Sequence, residues 1–138
     1  MSRTNLKLVI AMARSYNHTF NRIEKNIKSF GLTASEFGVL EFLYHKGNQP
    51  IQEIANKILV TSGTITYVIN KLIEKKFVER KQCTKDKRIF YIHLTEKGEE
   101  KISKIFPDHE KFIDELFKGL KETEKKILIK ELKKMSEV

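Results

Sequence analysis

The sequence predicts a mainly α-helical fold carrying one small β-hairpin, and three observations predict it. Apolar residues alternate at intervals of three and four between positions 6 and 30. Short apolar-faced segments, two of them preceded by capping residues, occupy positions 33–76. From position 77 to 94 the apolar period drops to two around a polar, basic centre. With only 2 Pro and 6 Gly in 138 residues there are few breaks, and the length suits one domain rather than two.

The first helix follows from Leu6, Val9, Ala13, Tyr16, Phe20, Ile23, Ile27 and Phe30, a seam about 25 residues long, or roughly 37 Å at 1.5 Å per residue. That outruns what a globule of this size buries, so the seam is expected to pack against a second chain as well as its own. Gly31 supplies the stop. Thr33 and Glu36 have capping-box spacing ahead of Phe37, Leu40, Leu43 and Tyr44, and Gly47-Asn48-Gln49-Pro50 ends this second helix. Ile51, Ile54, Ala55 and Ile58 mark a short third helix. Thr61 or Ser62 is placed to cap a fourth, whose inner face is Ile65, Val68, Ile69 and Leu72.

Phe77 to Lys81 and Ile89 to Leu94 read as the strands of a hairpin with Gln82–Arg88 at its tip. Thr95 is the cap of a fifth helix bearing Ile102, Ile105, Phe106, Ile113, Leu116 and Phe117. Pro107 inside it predicts a kink, with the Ser103 carbonyl losing its partner. A last helix runs from about Thr123 to Met135, with Ile127, Leu128, Leu132 and Met135 facing inward.

Charge adds the functional clue. The net charge is +9, and positions 60–95 alone carry eight Lys and Arg against three acids, the footprint of a polyanion partner. The outer face of the fourth helix offers Thr64, Thr66, Tyr67, Asn70 and Lys71, donors and acceptors suited to reading base edges. Two short helices joined by a tight turn and followed by a basic hairpin make a winged helix-turn-helix. The second helix enters the major groove, flanking cations hold phosphates, and the hairpin tip reaches the adjacent minor groove.

These residues closely resemble the MarR family of bacterial transcription regulators. The resemblance rests on Thr61-Ser62-Gly63-Thr64-Ile65-Thr66 entering the recognition helix and Leu72 through Arg80 leaving it. The wing motif carries most of it: Asp86-Lys87-Arg88 followed by Leu94-Thr95-Glu96-Lys97-Gly98. It implies a single MarR-type domain over 1–138, with a DNA-binding winged helix-turn-helix at about 33–95 and dimerisation helices at about 1–31 and 96–138. It implies a cytoplasmic homodimer on a pseudo-palindromic double-stranded operator, with half-sites about one turn, roughly 10 bp, apart. By position, Thr61, Ser62, Thr64, Thr66, Tyr67, Asn70, Lys71, Lys85 and Lys87 resemble groove and phosphate contacts. Arg88 resembles the minor-groove arginine, and Asp86 the acid that orients it. Small aromatic or phenolic effectors are implied between the dimerisation helices and the DNA-binding lobe, where Met12, Tyr16, Phe42 and His45 are the candidate lining. Thr61 to Tyr67 and Ile105 to His109 are similar to the subgroup responding to hydroquinones and catechols. The function implied is a repressor released by an aromatic or electrophilic ligand.

Two positions depart from the family pattern. Lys76 stands where a Gly commonly leaves the recognition helix, and a Lys adopts the left-handed conformation only at a cost. Lys121 stands where a Ser often precedes the last helix, which leaves Glu122 or Thr123 to cap it.

Other chemistries have little support. Cys83 lies near Lys81 and Lys85, a setting that favours a reactive thiol, so a redox repressor using Cys83 is one alternative. Family peroxide sensors carry their cysteine near the start of the first helix, and this chain has none there. A non-catalytic helical interaction protein with nonspecific phosphate binding is the other alternative. His18, His45, His93 and His109 have no metal-ligand spacing, and no Gly-x-Ser-x-Gly or phosphate-loop motif occurs, so no enzyme, metal or cofactor is expected. No apolar run reaches the roughly 18 residues of a membrane span, and the stretch through Ile10 breaks at Arg14 without a signal-peptide pattern.

Overall fold

The structure is a computed structural model that describes residues 3–58 and 62–136, with backbone alone at Ser62. Six helices and three strands follow in the order α1 (Arg3–Lys28), α2 (Ala34–Lys46), β1 (Gln49–Pro50), α3 (Ile51–Ile58), α4 (Ser62–Glu74), β2 (Val78–Gln82), β3 (Phe90–Leu94), α5 (Glu96–Leu116) and α6 (Glu122–Ser136). Thr61, one of the two expected caps of α4, lies outside the described residues.

Local chemistry sets most of these boundaries. Thr33 caps α2: its hydroxyl accepts from the Glu36 N–H at 3.1 Å, while the Glu36 carboxylate accepts from the Thr33 N–H at 2.9 Å. Thr95 caps α5 by accepting from the Gly98 N–H at 3.0 Å. At α6 the cap is Lys121, rather than Glu122 or Thr123. Its N–H donates to Glu124 Oε1 at 2.9 Å and its carbonyl accepts from the Lys125 N–H. The Glu124 side chain thus replaces the missing hydroxyl from the other half of the capping box. Pro107 lies inside α5, which continues past it to Leu116.

The sheet has one strand more than the hairpin reading gives. Val78–Gln82 pairs antiparallel with Phe90–Leu94, and Gln49–Pro50 adds on the far side of β3, giving the order β1-β3-β2. A two-residue strand is too short to leave a period in the sequence. Pro50, lacking an N–H, is tolerated because the strand lies at an edge.

The core lies between α2, α3, α4, the sheet and the first turns of α5. Leu40, Ile54, Ile65, Ile69, Leu72, Ile92 and Ile102 are fully enclosed there. The terminal helices contrast with it. In α1 only Ile27 is buried, and α6 buries nothing. Ile127, Leu128, Leu132 and Met135, expected to face inward, are 43–61% exposed in the single chain. Among the described residues no further element covers them, so their spacing marks an apolar face left open in the single chain.

The exit of α4 is a left-handed turn, despite its Lys. Lys76 adopts φ +65°, the left-handed conformation a Gly would supply. The Lys76 N–H donates to Ile73 and the Phe77 N–H to Leu72, the paired bonds of a Schellman motif. The Phe77 carbonyl then accepts from the Thr95 N–H at 3.0 Å, and the Thr95 hydroxyl donates to the Lys76 carbonyl at 2.6 Å. Gly98 lies against the same turn, and a Cβ placed on it would stand 2.0 Å from the Phe77 carbonyl oxygen.

Two substitutions test this junction by thermal melting. Gly98→Ala is expected to destabilise by roughly 3 kcal/mol, because backbone must move to admit the methyl. Lys76→Gly is expected to stabilise by up to about 1 kcal/mol, the relief of left-handed strain less the added chain entropy. A neutral Gly98→Ala, or a destabilising Lys76→Gly, would contradict this reading.

Candidate nucleic-acid interface

Burying Ile65, Val68, Ile69 and Leu72 turns the opposite face of α4 to solvent. Thr64, Thr66, Tyr67 and Asn70 are all exposed there. The Lys71 Nζ stands 5.5 Å from the centre of the Tyr67 ring and 3.6 Å from Glu74 Oε2. A flexible lysine is thereby biased toward the aromatic side of the helix. Ser62 opens this helix, and its side chain is outside the described residues.

The hairpin tip is built around one carboxylate. Asp86 Oδ1 accepts from the Arg88 N–H at 3.0 Å and from Arg88 Nε at 3.1 Å, and Oδ2 accepts from Nη2 at 3.1 Å. This fork-to-fork pairing orients a guanidinium that is otherwise free in solvent, its side chain 90% exposed. Hydrogen bonds from the Arg88 side chain and then from its backbone N–H hold the Asp86 carboxyl below its ordinary value. The Cys83 N–H to the Ile89 carbonyl at 2.8 Å and Gln82 Nε2 to the Lys87 carbonyl at 2.7 Å close the tip, with Lys85 and Lys87 exposed beside Arg88. Gln82 has no signal in the sequence. Its role depends on the register that places it opposite Phe90.

The four candidate effector-lining residues do not meet within one chain. Phe42 and His45 border a hollow of about 250 Å³ between α2 and α3. Tyr16 belongs to an apolar groove of about 500 Å³ between α1, α5 and α6, and Met12 lies farther along, beside Ile129 and Leu132.

Two partly or fully buried polar residues tie the lobe together, and the spacing of apolar residues reveals neither. His109 on α5 holds its Nδ1 2.9 Å from Asn26 Oδ1 on α1, with its ring 4.5 Å from that of Phe37 on α2. Burial lowers its pKa, against the raising influence of Glu41 and Glu110. Glu36, 4% exposed, reaches beyond its cap to accept from Lys75 Nζ at 2.7 Å. Burial opposes its ionisation, but the Lys75 and Thr33 hydrogen bonds and the Lys75 charge outweigh it and hold the carboxyl below its ordinary value. No described helix is long and apolar enough to cross a membrane.

Comparison with known proteins matches this arrangement. Residues 32–90 fit the model of the MarR family. The chain is 43% identical over 135 residues to the HTH-type transcriptional regulator MhqR of Bacillus subtilis (strain 168), covering 98% of this chain and 93% of that one. The fold is similar to that of Sco3205, a MarR family transcriptional regulator from Streptomyces coelicolor solved with DNA, with TM-score 0.93 at 18% identity over 99% and 88% of the two chains. It is also similar to reduced AbfR bound to DNA, with TM-score 0.74 at 26% identity over 99% and 97%. A winged lobe with an exposed α4 face and an oriented tip arginine, joined to this identity along nearly the whole chain, makes the protein a member of the MarR family of DNA-binding transcription regulators.

Proposed function

We propose that the protein is a homodimeric repressor that holds a pseudo-palindromic operator and is released by a small aromatic or electrophilic ligand. The observation carrying the dimer is the uncovered apolar surface of the terminal helices. Leu6, Val9, Tyr16 and Phe20 of α1 lie open to solvent like the α6 residues above, an exposure that marks an interface in a soluble protein. In this reading 33–95 is the DNA-binding lobe, and 1–31 with 96–138 forms the dimer.

In each lobe Thr61, Ser62, Thr64, Thr66, Tyr67, Asn70 and Lys71 address the major groove and its phosphates, and Lys85 and Lys87 meet phosphates beside the wing. Arg88, held by Asp86, enters the minor groove, where narrow A·T tracts concentrate negative potential. Two copies carry twice the +9 charge, which favours fast, salt-sensitive association. The ligand reading is supported by two hollows, that of Phe42 and His45 between α2 and α3 and that of Tyr16 between α1, α5 and α6. A ligand regulates only if it binds the DNA-competent and incompetent dimers differently. Cys83, the chain's one cysteine, closes the hairpin through its backbone N–H, a contact that does not engage its thiol.

Arg88→Ala is expected to weaken operator binding at least tenfold, about 1.4 kcal/mol, in fluorescence anisotropy. Wild-type affinity in that variant would remove the minor-groove role. Leu128→Glu places a carboxylate in each half of the proposed dimer face and is expected to raise the dimer dissociation constant by at least about 100-fold. Sedimentation velocity reads this directly, and a variant as dimeric as wild type, or a monomeric wild type, would contradict the interface.

A further inference from the structure

We propose that Glu36 is a positioning residue for DNA recognition: through Lys75 it fixes the direction in which α4 presents its outer face. Lys75 follows the last residue of α4, and its N–H still bonds back to the Lys71 carbonyl. Its ammonium meets a carboxylate already immobilised at the start of α2, with one oxygen on the Thr33 N–H and the other on Lys75. Among the described residues this is the one ion pair joining distant parts of the chain. The other five link residues two or three apart.

Two further contacts hold the same end of the helix from α5. Lys97 Nζ donates to the Lys75 carbonyl at 3.2 Å, and the Thr95 hydroxyl donates to the Lys76 carbonyl. The C-terminal end of α4 is therefore held by polar contacts from two sides, with the outer face projecting from it. At 1.5 Å per residue α4 is about 20 Å long, so a tilt of about 10° at that end moves its first side chains by about 3 Å. A base-edge hydrogen bond does not survive such a shift.

Net stability is a weak reason for such a pair, because the cost of desolvating Glu36 cancels much of the attraction. Direction is what a short, charge-assisted bond supplies that an apolar contact does not. This inference rests on the reading of the protein as a sequence-specific regulator, and the test separates the two.

The test uses the full-length protein, an operator duplex recovered by selecting bound genomic fragments, and a scrambled duplex, over a salt series. Wild-type preference for the operator tests the regulator reading by itself. Glu36→Gln retains an acceptor for the Thr33 N–H while losing the ion pair, and circular dichroism sets a temperature at which every variant is folded. Removing a negative charge should strengthen DNA binding if charge alone mattered. The proposal requires the opposite sign: operator affinity falls at least fivefold, and affinity for the scrambled duplex stays within twofold. Lys75→Met is expected to give the same operator loss with an unchanged salt slope, and Lys75→Arg to restore wild-type affinity within about twofold. The proposal is overturned by a Glu36→Gln variant that binds the operator as tightly as wild type or more so. Equal losses on both duplexes overturn it too, as does a shallower salt slope in Lys75→Met, which would make Lys75 a direct phosphate contact.

Discussion

The carbonyl of Phe77 is the point on which the DNA-binding half of the molecule depends. It ends the turn out of the recognition helix, opens the first wing strand, accepts the Thr95 N–H and leaves no room for a side chain at Gly98. Helix α4, the wing and α5 therefore meet within a few ångströms of one backbone oxygen. The Thr-x-x-Gly spacing follows from this geometry. The Thr hydroxyl accepts from the helix it caps and donates to Lys76, and the glycine one turn later lets that helix approach the strand. Lys76 stays left-handed at such a junction because bonds on both sides of it, to Leu72, Ile73 and Thr95, determine its conformation.

The two halves of the chain solve different physical problems. The core gathers side chains from Ile27 to Ile105, and α4 and the wing strands are anchored in it through Ile65, Ile69, Leu72, Val78 and Ile92. The terminal helices α1 and α6 leave most of their apolar side chains exposed in the single chain, and apolar surface of that extent is characteristic of interaction sites. His109 is the polar bridge between these regimes. It sits on α5, bonds to α1 and packs on α2.

Much of this was legible in the sequence because it is local. The Thr33–Glu36 spacing, the apolar positions of α3 and α4, and the alternation of β3 each encode an element within a dozen residues, and each forms where its pattern places it. β2 begins and ends one residue later than the apolar pattern implies, and β3 begins one later but ends at Leu94 as expected, because pairing rather than side-chain polarity sets these ends. Contacts made across the chain were not legible. Gln49–Pro50 becomes a strand only by meeting β3, and Glu36 reads as a capping residue until Lys75, 39 positions away, arrives at its second oxygen. Ile127, Leu128, Leu132 and Met135, read from their spacing as facing inward, are exposed in the single chain, because periodicity marks an apolar face without saying what covers it. Nor does spacing show whether four side chains share a pocket. Met12, Tyr16, Phe42 and His45 border three different hollows of the chain.

Recognition of a two-fold DNA site by a pair of rigid winged lobes is the central claim. It is tested most directly by fluorescence-anisotropy titration of the wild-type protein against the complete palindromic site, a single half-site and a scrambled duplex at several salt concentrations. The account predicts that the complete site binds about 10³-fold or more tightly than the scrambled duplex. It also predicts that the half-site falls well below the complete one and that log affinity drops steeply with log salt. Equal, weak binding to all three duplexes would contradict it.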